Sequence, residues 1–409
     1  MQIRRKFSEV KSIILLGDGM ADEPLEELGN KTPLETADTP YMDTLASKGE
    51  FGMVRTVKKG FPPGSDVANM SVLGLDPSLY YTGRAPIEAV SMGVDLTPED
   101  TAFRINLVTI TPKDGRLAME DYCSGHISTE EAKELITDLR RIVSGNPAIA
   151  MYPGIEYRHL MVIHNYQKLD LKTTPPHDIT GEFIAQYLPN DPLLVDIIEK
   201  SMAFLENHPI NVQRKIGGKR QATSLWPWGE GKAMQVPTLQ KEYGISGAMI
   251  SAVDLLKGLG RLRGMEVIQV PGATGWIDTN YTGKADAALD ALNRHDLVYV
   301  HIEAPDEAGH GGYVKEKIKA IEDFDTKIVG HIFNSMNTRG TTFRLLVLPD
   351  HPTPICKKTH TPDPVPYVLY DSTQPMSIGR HFTENDARST GLFIDDGHAL
   401  LVRLLKTTL

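Results

Sequence analysis

Asp306 and His310 are the first residues whose types and spacing indicate chemistry, because a carboxylate and an imidazole lie four positions apart. They follow the apolar run Leu297–Ile302, which is typical of a buried strand, and we place both residues in the turn after it. Two such side chains just beyond the carboxyl end of a strand can hold one metal ion between them. Ordinary surface side chains would explain the pair equally well, so other segments have to decide.

Two more apolar runs end in residues that can bind a metal. Ser12–Leu16 is followed by Asp18, which stands between two glycines, and Arg344–Leu348 is followed by Asp350 and His351. The carboxyl ends of parallel strands meet at one edge of a sheet, so these groups are expected to converge. With a histidine in a later loop, the candidate ligands are Asp18, Asp306, Asp350, His310, His351 and His360.

Three carboxylates and three imidazoles suit two divalent ions. Mixed oxygen and nitrogen ligands fit Mn or Zn better than Ca, and Mg fits a site that is richer in oxygen. A pair of such ions stabilises both the attacking and the leaving oxygen of a phosphoryl transfer. The set of ligands therefore predicts metal-dependent chemistry on a phosphate.

Ser65 stands where a helix is predicted to begin, directly after a turn rich in proline and glycine. A serine at this place usually caps the helix by accepting a hydrogen bond from a backbone N–H group. It could also act as a nucleophile, because a helix start supplies N–H groups that stabilise a phosphate. The local sequence favours the cap and leaves both interpretations open.

The elements that must position these residues alternate between strand and helix. Helices are predicted over 38–49, 248–258, 285–294 and 314–335, and a further strand over 265–270. Thr39 is a candidate cap for the first of these helices, and Pro40 fits its first position. The alternation predicts an α/β fold, with a mostly parallel sheet flanked by helices.

The pattern of strands, helices and segments rich in proline and glycine changes over residues 86–234, which predicts an inserted smaller α/β domain. Residues 1–85 and 235–409 then form a discontinuous metal-binding domain. In the insert we predict strands over 103–110 and 159–164, a helix over 128–143 and the end of a helix over 201–207. Ser128 and Glu131 match a capping box at the start of the helix. The segment 215–231, rich in glycine and tryptophan, is predicted to be an irregular loop.

Composition limits the classes of function. The chain has 409 residues and a net charge of −10, so no overall basic field is available to attract nucleic acid. Two cysteines, Cys123 and Cys356, make no disulfide framework and indicate a reducing compartment. The charged segment Met1 to Lys11 has no apolar core of signal-peptide length, and no stretch reaches the length of a membrane span, so we expect a cytoplasmic protein with no membrane partner.

Six motifs carry a resemblance to a known family, and they extend over essentially the whole chain. They are Leu16-Gly17-Asp18-Gly19, Gly29 to Glu35, Gly64-Ser65-Asp66, Pro305 to His310, Asp350 to Pro354 and His360 to Pro366. In type, order and spacing they resemble the archaeal-type 2,3-bisphosphoglycerate-independent phosphoglycerate mutases of the alkaline phosphatase superfamily. The resemblance implies an alkaline-phosphatase-like fold with a second domain inserted into it.

The resemblance also implies roles for the candidate residues. Ser65 would be the nucleophile and form a phosphoserine. One divalent ion (Mn, Mg or Zn) would be held by Asp18, Ser65, Asp350 and His351, and a second by Asp306, His310 and His360. A metal beside the serine hydroxyl lowers its pKa and makes it a stronger nucleophile.

The insert would bind a small phosphorylated substrate, and Arg84, His126 and Arg158 are the candidates for this task. The implied reaction interconverts 3-phosphoglycerate and 2-phosphoglycerate in glycolysis. The insert departs from the family's pattern, since His126 stands where archaeal members have an arginine. Two alternatives therefore stay open: a phosphotransferase of the homoserine kinase type in threonine biosynthesis, and a metal-dependent phosphomonoesterase. The family also makes a homo-oligomer a candidate assembly.

Overall fold

The chain divides into two compact units in a computed structural model that describes residues 10–168, 170–375 and 379–405. Unit 1 comprises Met1–Tyr81 and Val236–Leu409, and unit 2 comprises Thr82–Gln235. These bounds lie close to the insert expected over residues 86–234. In the described part of the chain, no helix combines the length and the apolar character that are needed to cross a bilayer.

Strands and helices are numbered in chain order. The strands are β1 (Lys11–Gly17), β2 (Glu50–Val54), β3 (Thr101–Lys113), β4 (Arg116–Asp121), β5 (Ile149–Tyr152), β6 (Arg158–Ile163), β7 (Ser224–Lys232), β8 (Gly247–Ile250), β9 (Glu266–Ile268), β10 (Leu297–Ile302), β11 (Phe343–Leu348), β12 (Val365–Asp371) and β13 (Phe393–Ile394). The helices are α1 (Pro33–Thr36), α2 (Pro40–Lys48), α3 (Ser65–Val72), α4 (Pro77–Tyr80), α5 (Ala85–Ser91), α6 (Thr129–Val143), α7 (Pro192–Leu205), α8 (Pro209–Ile216), α9 (Leu239–Glu242), α10 (Asp254–Leu262), α11 (Tyr281–Ala291), α12 (Ala304–Gly311), α13 (Val314–Phe324), α14 (His331–Arg339), α15 (Glu384–Ser389) and α16 (Ala399–Leu405).

Among the described residues, unit 1 contains a sheet of eight strands in the order β13-β2-β12-β11-β1-β10-β8-β9. β1 lies between β10 and β11 and is parallel to both, while β12 is antiparallel to its two neighbours. β10 and β11 are buried at every residue, as expected for strands that helices cover on both faces. The predicted α/β fold with a mostly parallel sheet is confirmed.

The helix predicted over 248–258 is wrong in its first half. Gly247–Ile250 forms β8, which is parallel to β10 and β9, and α10 begins only at Asp254. A buried apolar run of four residues has no periodicity that separates a strand from a helix. Pairing with β10 decides between them.

The helix predicted over 314–335 is a succession of α13, the π-helical segment Asp325–Gly330 and α14. The buried Asp325 accepts hydrogen bonds from the backbone N–H groups of Tyr41 at 3.2 Å and Met42 at 2.7 Å. It thereby satisfies the first turn of α2. Thr39 is the residue before this helix, as predicted, but its side chain makes no capping bond.

Unit 2 is built on a smaller sheet, in which β3 pairs in antiparallel fashion with β4, β6 and β7 and β6 pairs with β5. The strands predicted over 103–110 and 159–164 and the helix over 128–143 are confirmed. Ser128 caps α6 by accepting from the N–H of Glu131 at 3.3 Å. The Glu131 carboxylate accepts from Arg214 at 2.6 Å and from the Ser128 hydroxyl at 3.3 Å, and among the described residues it does not accept from the Ser128 N–H as a full capping box requires.

The irregular loop predicted over 215–231 is wrong for its second half, because Ser224–Lys232 forms β7. Pro227 and two glycines are the residues that suggested a loop. β7 bonds to β3 alone among the described strands, and such an edge strand tolerates a proline whose missing N–H faces away from the partner. The pairing shifts register between Ala102 and Arg104, close to Gly229 at φ 61°.

Candidate metal centre and nucleophile

The metal-ligand candidates of unit 1 follow three adjacent strands. Asp18 comes directly after β1, Asp306 lies in the first turn of α12 after β10, and Asp350 comes two residues after β11. Because β1 is parallel to both β10 and β11, the carboxyl ends of the three strands lie side by side. The expected convergence of the carboxylates is therefore found.

Asp306 and His310 lie on the helix α12, and the prediction that they belong to a turn is wrong. Residues four apart on a helix share a face, and here the Nε2 atom of His310 is 3.3 Å from Asp306 Oδ2. The Nε2 atom of His360 is 3.3 Å from Asp306 Oδ1 and 2.9 Å from His310 Nε2. The structure thus brings together the three residues that were predicted to share one ion.

The Nε2 atoms of this group are oriented for a cation. The Nδ1 atom of His310 lies 3.0 Å from the carbonyl oxygen of Lys358, which only accepts, so Nδ1 carries the proton and Nε2 is directed towards Asp306. Burial lowers the pKa of His310, but the bonded carboxylate outweighs burial and raises this pKa to about 9. The surroundings therefore favour positive charge between these side chains.

Asp18, Asp350, His351 and Ser65 form the second predicted group. The Nε2 atom of His351 is 3.6 Å from Asp18 Oδ1, 3.4 Å from Asp350 Oδ2 and 3.1 Å from Ser65 Oγ. Its Nδ1 atom is 3.3 Å from Thr353 Oγ1. Since this hydroxyl donates to a carboxylate, it accepts from Nδ1–H, and Nε2 keeps a lone pair that faces the serine.

His351 lies between the two groups. Its ligand atom is within 4.8 Å of those of Asp306 and His360, and its ring centroid is 4.0 Å from that of His360. The resemblance places this residue only in the group of Asp18, Ser65 and Asp350. The two candidate sites are therefore contiguous, as a pair of ions acting on one phosphate requires.

Ser65 is the first residue of α3, and Gly64 is the capping residue before it. The interpretation of Ser65 as a side-chain cap is therefore wrong. The serine hydroxyl is available for chemistry at the positive end of a helix, where anionic groups are stabilised. Asn69, one turn later, donates from its amide group to the carbonyl oxygen of Ser65 at 2.8 Å and to Asp350 Oδ2 at 2.8 Å.

Neutral donors hold the carboxylates in place. Thr353 donates to Asp306 Oδ1, and the N–H groups of Gly19 and His351 donate to Asp350 Oδ1 at 3.1 and 2.9 Å. Gly19 has φ 61°, and a Cβ atom there would come within 2.7 Å of Asp306 Oδ1. A glycine is required at this close approach.

The electrostatics of Asp18 test whether these residues suit a cation. Burial, followed by the negative charges of Asp350 and Asp306, raises the pKa of Asp18 well above its usual value. Its Oδ1 atom is buried and has no hydrogen-bond partner among the described residues. A divalent ion would satisfy that oxygen and offset the repulsion between the carboxylates, so the donor set fits a metal centre.

His301 is a member of the site that the sequence analysis missed. It lies in β10, is fully buried, and has its Nε2 atom 2.9 Å from Asp18 Oδ2. Its ligand atoms are close enough to those of Asp18 and Asp350 to form a metal-binding group. An imidazole in an otherwise apolar strand was the signal that could have identified it.

The candidate substrate residues Arg84, His126 and Arg158 all belong to unit 2. Arg84 bonds to Glu88 at 3.2 Å, and the exposed His126 has φ 50°. Arg158 lies 3.7 Å from Glu156. No ligand role follows from these contacts, so the assignment stays a prediction.

Arg104 was not singled out by the sequence analysis, although it stands alone in an apolar strand. It is buried, pairs with Glu88 at 2.9 Å and lies 4.2 Å from the ring of Trp228. Burial lowers its pKa to about 10; Glu88 opposes this effect, and the nearby charges of Arg84 and Arg158 add to it. Unit 2 thus gathers three arginines around one point of its sheet.

These features define a class of protein: an α/β enzyme whose serine hydroxyl lies beside clustered side chains that could hold metal ions. The profile of the family described as 2,3-bisphosphoglycerate-independent phosphoglycerate mutase matches residues 46–211. A mutase of this name from Methanosarcina mazei is 53% identical over 97% of this chain and 100% of its own. A probable mutase from Geobacter sulfurreducens is 50% identical with the same coverage.

Solved structures agree with these relatives. A protein from Pyrococcus horikoshii aligns with a TM-score of 0.81 at 29% identity, covering 97% of both chains. The cofactor-independent phosphoglycerate mutase of Thermoplasma acidophilum aligns with a TM-score of 0.63 at 29% identity, over 97% of this chain and 99% of that one. The chain belongs to the 2,3-bisphosphoglycerate-independent phosphoglycerate mutase family.

Proposed function

We propose that this protein interconverts 3-phosphoglycerate and 2-phosphoglycerate through a phosphoserine at Ser65, without added 2,3-bisphosphoglycerate. The observation that carries the proposal is the position of the Ser65 hydroxyl, 3.1 Å from His351 Nε2 at the start of α3. Family membership supplies the substrate, and it also supports a role in glycolysis and a cytoplasmic location.

The reaction consists of two displacements at phosphorus. Ser65 Oγ loses its proton and attacks the phosphorus of 3-phosphoglycerate; a new O–P bond forms, the bond to the substrate's 3-oxygen breaks, and that oxygen takes up a proton to become a hydroxyl. The 2-hydroxyl of the bound glycerate then loses its proton and attacks the phosphoserine; a new O–P bond forms, the bond to Oγ breaks, and Oγ takes up a proton. The serine returns to its first state, and in-line geometry is needed in both steps.

Unit 1 contributes the charge and the orientation that these steps require. The N-terminal end of α3 stabilises the anionic phosphoryl group. Asn69 fixes the backbone carbonyl of Ser65 and the carboxylate of Asp350, so that nucleophile and ligand keep one geometry. Water has to be kept from the phosphoserine, since hydrolysis would turn the mutase into a phosphatase.

Two divalent ions are part of the proposal. Asp18, Ser65, Asp350 and His351 would hold one ion, and Asp306, His310 and His360 would hold the other. When bound, such ions act as Lewis acids on the phosphoryl oxygens and lower the pKa of the serine hydroxyl. Two observations support this assignment: Asp18 Oδ1 has no hydrogen-bond partner among the described residues, and the imidazoles of His310 and His360 face each other. Mn and Zn suit the mixed ligands best.

Unit 2 is proposed to bind the substrate. Arg84 and Arg158 offer planar donors that suit a phosphate or a carboxylate, and His126 adds a third polar group. Arg104, which lies against Trp228, is added to this set because its buried charge reinforces the local positive field.

Phosphorus NMR of the Mn-loaded protein with 3-phosphoglycerate tests the proposal. We expect a 2-phosphoglycerate signal to grow without 2,3-bisphosphoglycerate, and to disappear with EDTA or in Ser65→Ala. Ser71→Ala is a matched control, because Ser71 lies on the same helix and its hydroxyl bonds only to the carbonyl of Val67 among the described residues. Growth of the signal in Ser65→Ala would overturn the phosphoserine, and formation of phosphohomoserine from ATP and homoserine would favour the kinase alternative.

A further inference from the structure

His301 is held on both sides of its ring. Its Nδ1 atom lies 3.2 Å from the hydroxyl oxygen of Ser251, and its Nε2 atom lies 2.9 Å from Asp18 Oδ2. The ring is fully buried in β10. The main-chain carbonyl of His301 accepts from the Nζ atom of the buried Lys284 at 3.3 Å, so backbone and side chain are both fixed.

The direction of each hydrogen bond follows from its partners. A carboxylate that binds a metal is ionised and only accepts, so His301 donates Nε2–H to Asp18 Oδ2. On the other side, Ser251 Oγ accepts from the N–H of Val253 at 3.0 Å and keeps its own proton to donate to Nδ1. A chain of hydrogen bonds therefore runs from the start of α10 through Ser251 and His301 to Asp18.

The direction of the bond to Asp18 decides whether the imidazole is a metal ligand or a residue that positions a ligand. An Nε2 atom that carries a proton has no lone pair for an ion, although it is close enough to Asp18 and Asp350 to be counted with them as a ligand group. The bond engages Oδ2 of Asp18 and leaves the buried Oδ1 without a partner among the described residues. That oxygen is 3.6 Å from His351 Nε2, on the side of the serine.

We propose that His301 is a positioning residue, which binds Asp18 Oδ2 through Nε2–H and thereby directs Oδ1 to the metal ion, and that Ser251 sets its tautomer. This inference rests on the proposed metal centre and leaves its set of metal ligands unchanged. Outer partners of this kind typically contribute about 10–100-fold to metal affinity.

Two substitutions separate positioning from ligation. The amide nitrogen of glutamine can take the place of Nε2–H, so we expect His301→Gln to bind Mn²⁺ within about threefold of the unsubstituted chain. Leucine offers no donor, so His301→Leu is expected to lose about 10–100-fold in Mn²⁺ affinity. Ser251→Ala removes only the hydroxyl that fixes the tautomer of His301, so we expect a smaller loss of Mn²⁺ affinity, about 3–10-fold. Electron paramagnetic resonance of free Mn²⁺ gives both affinity and stoichiometry.

His159→Gln is a matched control, because His159 is a buried histidine in β6 of unit 2 whose Nδ1 accepts from the N–H of Gly154 at 3.0 Å. It should leave Mn²⁺ binding unchanged. Equal losses in His301→Gln and His301→Leu would indicate that His301 is a ligand and would overturn the inference. Unchanged Mn²⁺ binding in His301→Leu would overturn it as well, because His301 would then contribute nothing to the metal centre. Failure of the unsubstituted chain to bind Mn²⁺ would instead refute the metal centre itself, so the two failures are distinguishable.

Discussion

The two units hold their functional groups in different ways. In unit 1 the candidate ligands Asp18, Asp306 and Asp350 are buried at the ends of three adjacent parallel strands, and each carboxylate has a hydrogen-bond donor on at least one oxygen. In unit 2 the polar candidates surround an antiparallel sheet, and His126 and Arg158 are exposed. Rigid, desolvated groups suit phosphoryl transfer, while exposed arginines suit recognition of an anion.

This contrast indicates where substitutions should act. A change in the buried ligands of unit 1 should affect metal binding and the chemical step together, because the ligands depend on one another. A change in unit 2 should affect substrate affinity and leave metal binding alone. Five sets of variants, in decreasing order of expected effect, compare the two units in catalysis, in substrate binding and in stability.

Asp306→Asn should have the largest effect on catalysis. The substitution removes the negative charge of the carboxylate that His310 and His360 contact. We expect kcat to fall by about 10³-fold, since a catalytic ion contributes several kcal/mol, and Mn²⁺ stoichiometry to fall by one. Steady-state kinetics and Mn²⁺ titration measure both, and full stoichiometry in the variant would contradict the assigned ligand set.

Lys317→Met should have the largest effect on stability. Lys317 and Asp22 form a buried ion pair of 2.7 Å in unit 1, with both side chains fully buried. Removing one partner leaves an uncompensated charge, so we expect the free energy of unfolding to fall by about 3–5 kcal/mol in urea denaturation. The double variant with Asp22→Asn should recover much of this loss.

Arg214→Met provides the comparison in unit 2. Arg214 is also buried, but its partner Glu131 is 29% exposed and can be solvated when the arginine is lost. We expect a loss of about 1–3 kcal/mol, which reflects unsatisfied hydrogen bonds more than a stranded charge. A loss in Arg214→Met as large as the loss in Lys317→Met would contradict the expected difference in stability between these two buried ion pairs.

Arg158→Gln should affect substrate binding alone. If Arg158 contacts the anionic substrate, KM for 3-phosphoglycerate should rise by about 10–100-fold, the range of a charge-assisted hydrogen bond, while Mn²⁺ affinity stays constant. Arg141→Gln is the control, because Arg141 is an exposed arginine of α6 that pairs with Asp138. A KM that is unchanged in Arg158→Gln would remove this residue from the proposed set.

His159 should produce a small, pH-dependent effect on stability. Burial, reinforced by the charge of Arg158, lowers its pKa to about 3. The unfolded chain therefore binds a proton below pH about 6.5 that the folded chain excludes, so this contribution is full above that pH and is lost progressively down to about pH 3. Between pH 6.5 and 5.5 we expect a loss of about 1 kcal/mol that His159→Gln does not show. Urea denaturation of both proteins at the two pH values measures this loss. An equal change in unfolding free energy with pH in the unsubstituted chain and in His159→Gln would contradict the prediction.

Much of unit 1 could be predicted because its signals are local. The apolar runs that form β1, β10 and β11 are continuous, and the residue that follows a parallel strand necessarily lies at the sheet edge. Ser65 required more than local sequence, since a serine at a helix start is usually a cap. The resemblance favoured the nucleophile, and the capping position of Gly64 excluded the cap.

Unit 2 and the strand β8 were harder to predict. Pro227 and the glycines of β7 have the composition of a loop, and only pairing with β3 makes this segment a strand. The run Gly247–Ile250 is too short for its periodicity to matter, and its parallel neighbours decide its state. In both places the contacts that fix the structure are distant in sequence.

Local sequence was sufficient for the hydrophobic runs, the turns that end them and the residue types at those ends, because each of these is a property of neighbouring residues. Which side chains meet depended on the tertiary structure. β1 and β10 pair with Leu16 opposite His301, and this register brings the imidazole to Asp18, 283 residues away. A hydrogen bond between such residues depends on strand order and register, and neither is written in the local pattern.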